Sequence, residues 1–88
     1  PATVPAGKFR VQLALVRSES EASAIAARVR GEFAGVFGPR EANVEEAVVG
    51  NMGTMYRVRV GPFANAGEGQ NACAKLKGSG LDCLVVAQ

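Results

Sequence analysis

Residues 9–14, Phe9-Arg10-Val11-Gln12-Leu13-Ala14, return 47 positions later as residues 56–61, Tyr56-Arg57-Val58-Arg59-Val60-Gly61. The match continues at the same offset. Ala27-Arg28-Val29-Arg30-Gly31 falls on Ala74-Lys75-Leu76-Lys77-Gly78, and Ser18 with Glu21 falls on Asn65 with Glu68. A chain of 88 residues with two halves of one type reads as a single domain built from a repeated supersecondary unit.

Each half can be read separately. From Lys8 to Val16, the apolar Phe9, Val11, Leu13 and Leu15 alternate with Lys8, Arg10, Gln12 and Ala14, the period of a half-buried strand. Ser18-x-x-Glu21 follows as a capping box, in which the Ser oxygen takes an amide of the first turn and the Glu reaches back. Ala22, Ile25, Ala26, Val29 and Phe33 then form one apolar stripe at helical spacing, and Gly35, Gly38 and Pro39 stop the helix. Residues 44–50 read as a second strand, and Asn51-Met52-Gly53 as the turn into a third. In that third strand, Met55 to Gly61, Tyr56, Val58 and Val60 share one face while Met55, Arg57 and Arg59 share the other. Asn65-x-x-Glu68 caps a second helix, which Gly67 and Gly69 weaken by about 1 kcal/mol each relative to Ala. It presents Ala72, Cys73 and Leu76 inward, ends at Gly78 and Gly80, and Leu81 to Ala87 is the last strand.

The order βαββαβ, with a right-handed crossover in each half, predicts an α+β two-layer sandwich of ferredoxin-like type. Its four-stranded antiparallel sheet has strands 1 and 3 central and both helices on one face. The other face is uncovered, and function is expected there. Its positions on the central strands are Lys8, Arg10, Gln12, Ala14, Met55, Arg57, Arg59 and Gly61. Four of the ten basic residues fall on this face and no acid does, Glu45 and Glu46 being assigned to strand 2 at its edge. Guanidinium forks pair with carboxylate or phosphate oxygens, and the Gln amide both donates and accepts. A surface for an extended ligand with spaced anions and hydroxyls is one reading, and an ordinary solvated sheet face is the other.

Composition narrows the function. The hydrophobic share of 48% is mostly Ala, Val and Leu, with no Trp, enough for a thin core and too little for a large internal cavity. There is no His, no Ser or Cys has a recognisable base beside it, and no two carboxylates face each other across a groove. The expectation is a binding module that is not an enzyme and takes no cofactor. Cys73 and Cys83 fit neither a CxxC redox pair nor a zinc ligand set, so no metal site is expected. Two readings of the cysteines stand: isolated core thiols, or a Cys73–Cys83 disulfide. The second is favoured by an inward Cys73 on the helix and a Cys83 sharing parity with Val85 and Ala87 on the strand that follows.

The topology is shared with RNA-recognition motifs, so an RNA-binding module is the alternative. Those domains stack bases on exposed aromatics of the central strands, whereas Phe9 and Tyr56 have the parity of the core valines. The net charge of +2 does not by itself imply nucleic acid, and none is expected as partner. No apolar run approaches the roughly 20 residues that span a bilayer. Pro1 to Gly7 reads as the end of a Pro/Ala linker and residues 8–88 as the domain, with any membrane anchor or export signal expected upstream.

Three segments carry a resemblance. Phe9-Arg10-Val11-Gln12-Leu13 resembles the first-strand signature of the SPOR domain family. Tyr56-Arg57-Val58-Arg59-Val60-Gly61-Pro62-Phe63 resembles its more specific second signature, and Lys75-Leu76-Lys77-x-x-Gly80 resembles its helix end before the final strand. The resemblance covers residues 8–87. It implies non-catalytic binding of peptidoglycan glycan strands, denuded of stem peptides, which targets a parent protein to the division septum. The implied location is the periplasm or cell envelope, tethered to the inner membrane by an upstream segment, and a monomer is expected. Binding in the family uses the open sheet face, so Gln12 and Arg57 carry over; Arg59, Arg10 and Lys8 join them on parity alone. The family's Gly-Ser-Phe type turn is replaced here by Ala14-Leu15-Val16, and Ser18 is the candidate to supply the missing hydroxyl.

Overall fold

The computed structural model describes residues 7–87. The elements run β1 (Phe9–Val16), α1 (Glu19–Glu32), α2 (Ala34–Phe37), β2 (Glu41–Val48), a 3-10 turn (Gly50–Met52), β3 (Thr54–Phe63), α3 (Ala66–Ala74) and β4 (Leu84–Ala87). The strands form one antiparallel sheet in the order β2-β3-β1-β4, so the predicted α+β sandwich with central β1 and β3 is present. The linker expected over residues 1–7 lies, but for Gly7, outside the described residues.

Local chemistry explains the helix starts. Ser18 Oγ accepts the Glu21 amide at 3.3 Å, and Asn65 Oδ1 accepts the Glu68 amide at 2.9 Å. Both helices then cover one face of the sheet. Ala22, Ala26 and Val29 of α1 and Ala72 of α3 meet Val11, Leu13, Val58 and Val60, with Phe37, Phe63 and Leu76 closing the core. A Cβ on Gly69 would stand 3.2 Å from Val85 Cγ2 and 3.4 Å from Val11 Cγ1. The glycine that weakens α3 as a helix therefore lets it lie close on the sheet. Cys73 and Cys83 form a disulfide with a Cα–Cα distance of 5.5 Å, tying α3 to the approach of β4.

Several boundaries differ from expectation: β3 runs Thr54–Phe63 rather than Met55 to Gly61, and α3 ends at Ala74, before Leu76. β2 starts at Glu41 and ends at Val48, because its pairing with β3 extends from Glu41↔Gly61 to Val48↔Thr54. The extra turn α2 stands where the sequence predicts only a stop, and Gly38, at φ 61°, ends it. β4 begins at Leu84 rather than Leu81, since its ladder with β1 stops at Gln12↔Leu84, where β1 bulges.

That bulge carries the main correction. Gln12 pairs with Arg59, but the next step pairs Ala14 with Val58, so two residues of β1 advance against one of β3. Leu13 and Ala14 both enter the core, and Leu15 turns to the open face, 38% exposed. Strict alternation predicted Ala14 outward and Leu15 inward. One inserted residue reverses the parity of everything beyond it.

Candidate functional site

The open face is organised in rows across the strands. One row is Leu84, Gln12, Arg59 and Asn43, each the register partner of the next. The row beside it is Leu15, Arg57 and Glu45. On the far side of Gln12, Arg10 pairs with Val86 of β4. Four of the predicted site residues, Arg10, Gln12, Arg57 and Arg59, are thus brought together. Lys8 is exposed and precedes the first residue of β1. Ser18 lies beyond the other end of β1, where its hydroxyl caps α1 and contacts Ser20 Oγ at 2.8 Å.

The face is not free of acid, contrary to the expectation. Glu45 sits among the arginines: Oε1 accepts from Arg57 Nε at 2.9 Å, Oε2 lies 3.4 Å from Arg10 Nη1, and Arg59 Nη1 is 3.7 Å from Oε1. Arg10 reaches across β3 to do this over Gly61, where a Cβ would come within 2.8 Å of Arg10 Cγ. Arg59 also donates through Nε to Gln12 Oε1 at 3.3 Å. Three guanidinium charges against one carboxylate leave the cluster at +2. Burial, and then the charge of Arg57, press the Arg59 guanidinium below its ordinary pKa; Glu45 opposes the shift and Arg10 adds to it. An arginine so placed still carries its proton at neutral pH.

Residues 44–50 alternate too irregularly for the sequence to assign Glu45 to a face of strand 2. Ala42 is buried and Val44 packs on the core, so with the strand started at Glu41 the opposite parity puts Asn43 and Glu45 on the open face. Met55, expected outward, has the parity of Arg57 yet is only 4% exposed and stands apart from the core cluster. Other arginines serve the fold. Arg40 donates to the Pro62 and Phe37 carbonyls, pairs with Glu68 at 3.3 Å and lies 4.2 Å from the Phe63 ring centroid. Arg30 donates to the Ala42 carbonyl, and Arg28 to that of Ser79. Phe9 and Tyr56 pack against the core, as their parity predicts.

Chemically, this surface can exchange an internal carboxylate for an external one. Each of these partly buried ion pairs is worth only about 1 kcal/mol, so an anion held by two guanidinium groups competes with Glu45 at small cost. Among the described residues no cluster of His, Cys, Asp or Glu is suited to a metal.

Comparison with known proteins bears on the fold and the family. The solution structure of the peptidoglycan binding domain of the B. subtilis cell wall lytic enzyme CwlC superposes with a TM-score of 0.64 at 18% identity, covering 100% of this chain and 98% of that one. At that identity the likeness speaks to the fold. No curated protein matches the chain. The family described as the SPOR domain matches residues 5–87, nearly the whole length, and includes the strand that carries Arg57 and Arg59. The chain belongs to the SPOR domain family.

Proposed function

We propose that this domain binds the glycan strands of peptidoglycan on its open sheet face, favours strands stripped of stem peptides, and carries a parent protein to the division septum without catalysing a reaction. The observation that carries the reading is the cluster of Arg10, Gln12, Arg57 and Arg59 around Glu45 on the uncovered face of the sheet. The structural neighbour is itself a peptidoglycan binding domain. Removing a stem peptide leaves a free lactyl carboxylate on each muramic acid, which suits Arg57 and Arg59. It also removes bulk that would hold the strand off a flat sheet. A carboxylate that must displace Glu45 from partly buried arginines gains little net, so the steric term is the larger and the arginine term shows as salt sensitivity. Lys8, at the entry to β1, and Ser18, beyond its far end, extend the contact in this reading. The site of action is the cell envelope, with a monomeric domain tethered to the inner membrane from upstream.

Amidase-treated sacculi should retain more protein than untreated ones, and digestion of their glycan should then release it. A measurement at two salt concentrations apportions the two terms. Equal retention on sacculi with and without stem peptides would reduce the domain to a general wall binder. An RNA-binding reading has less support, because the central-strand aromatics Phe9 and Tyr56 pack on the core side and offer no stacking platform on the open face.

A further inference from the structure

We infer that the groove between Leu15 and Leu84, beside Gln12, is a subsite for the acetamido group of an N-acetylated amino sugar. The inference rests on the glycan-binding reading above and adds a second point of recognition to it. The bulge in β1 turns Leu15 outward, and Leu84 faces the same way from β4, 58% exposed. Both line a groove of about 310 Å³ together with Gln12, Ala14, Asp82 and Cys83. Two large aliphatic side chains in water, on the face that also holds the arginine cluster, have no role in the core. They make the open face two-sided, apolar toward β4 and charged toward β2.

Gln12 stands at that boundary. It is the register partner of Leu84 on one side and of Arg59 on the other. Because a guanidinium only donates, the Gln12 oxygen must be the atom facing Arg59 Nε, which fixes the orientation of the amide. Its NH2 group then has no hydrogen-bond partner among the described residues and is available as a donor beside an apolar wall. An acetamido group asks for that pair of features, a donor for its carbonyl oxygen and an apolar surface for its methyl. In muramic acid the acetamido and lactyl groups occupy adjacent ring carbons. Gln12 and Arg59, in contact at 3.3 Å, can therefore meet the two substituents of one sugar.

The test uses amidase-treated sacculi in two forms, native and chemically de-N-acetylated, and two proteins, the parent domain and the Leu15→Ser, Leu84→Ser double variant. De-N-acetylation also creates an ammonium, which Arg57 and Arg59 repel and Asp82 attracts. These charges are the same in both proteins, so the comparison of ratios cancels them. The parent should prefer acetylated sacculi over de-N-acetylated ones by about three- to five-fold more than the double variant does, the worth of burying a methyl group. Both leucines are exposed, so the variant should melt near the parent; if it does not, Leu84→Ser alone carries the comparison. An identical preference in parent and variant overturns the subsite and leaves glycan binding standing. A parent domain that binds neither form of sacculus overturns the glycan-binding reading itself.

Discussion

Replacing Glu45 by Gln would leave Arg10, Arg57 and Arg59 facing one another with no carboxylate between them, and raise the charge of the cluster by one. The folded state should lose about 1 kcal/mol, since the three pairs are only partly buried and losing Glu45 also leaves the arginines to repel one another. The larger effect is on selectivity. Glu45→Gln should retain single-stranded RNA at low salt with a steep salt dependence, whereas the parent should not; filter binding at several ionic strengths decides it. If parent and variant ignore RNA alike, Glu45 does not restrain the face against polyanions. Neighbouring positions separate binding from folding. Gln12→Ala and Arg57→Ala should weaken sacculus binding while changing stability by under about 0.5 kcal/mol, because Glu45 keeps Arg10 and Arg59 when Arg57 is removed. Val58→Ala, at 0% exposure between β1 and β2, should instead cost about 1–3 kcal/mol in chemical denaturation. Full binding by the Gln12→Ala, Arg57→Ala double variant would place the site elsewhere.

Two glycines, each within a helix, behave oppositely at the level of elements. Gly31 lies near the end of α1 with nothing within 4 Å of where a Cβ would stand, so Gly31→Ala should stabilise the domain by about 0.5–1 kcal/mol through the unfolded chain. Gly69 in α3 has the same intrinsic penalty, but its Cβ would press on Val85 and Val11 at 3.2–3.4 Å. Gly69→Ala should bring no gain, because the helix must lift from β1 and β4 to accept it. Urea midpoints of the two variants check the contrast, and equal gains would mean that α3 is not held by close approach. The β1 bulge acts at the same scale: it ends the β4 ladder, seats both Leu13 and Ala14 in the core, and delivers Leu15 to the open face.

For the whole molecule, a domain of this size with a core made largely of Ala and Val has little stability to spare. The Cys73–Cys83 disulfide closes a short loop at the α3–β4 corner, where β4 has only four residues. Loop closure alone contributes about 3 kcal/mol. Reduction should lower the urea midpoint by a corresponding amount, and an unchanged midpoint in reductant would show that packing holds this corner unaided. The family's fold and the two strand signatures were legible in the sequence because their signals are local. Period-two alternation, a capping box and a glycine stop are each contained in a few residues, and the 47-residue repeat sets two such units in one pattern. The Cys73–Cys83 bridge was legible for a related reason, since it joins consecutive elements. Three facts belonged to the tertiary structure alone: the bulge that exchanges Ala14 and Leu15, the arrival of Glu45 among arginines from two other strands, and the alignment of Leu84 with Gln12. Each depends on the register between strands far apart in the chain. Register is decided by the packing of whole elements, and no short stretch of residues encodes it.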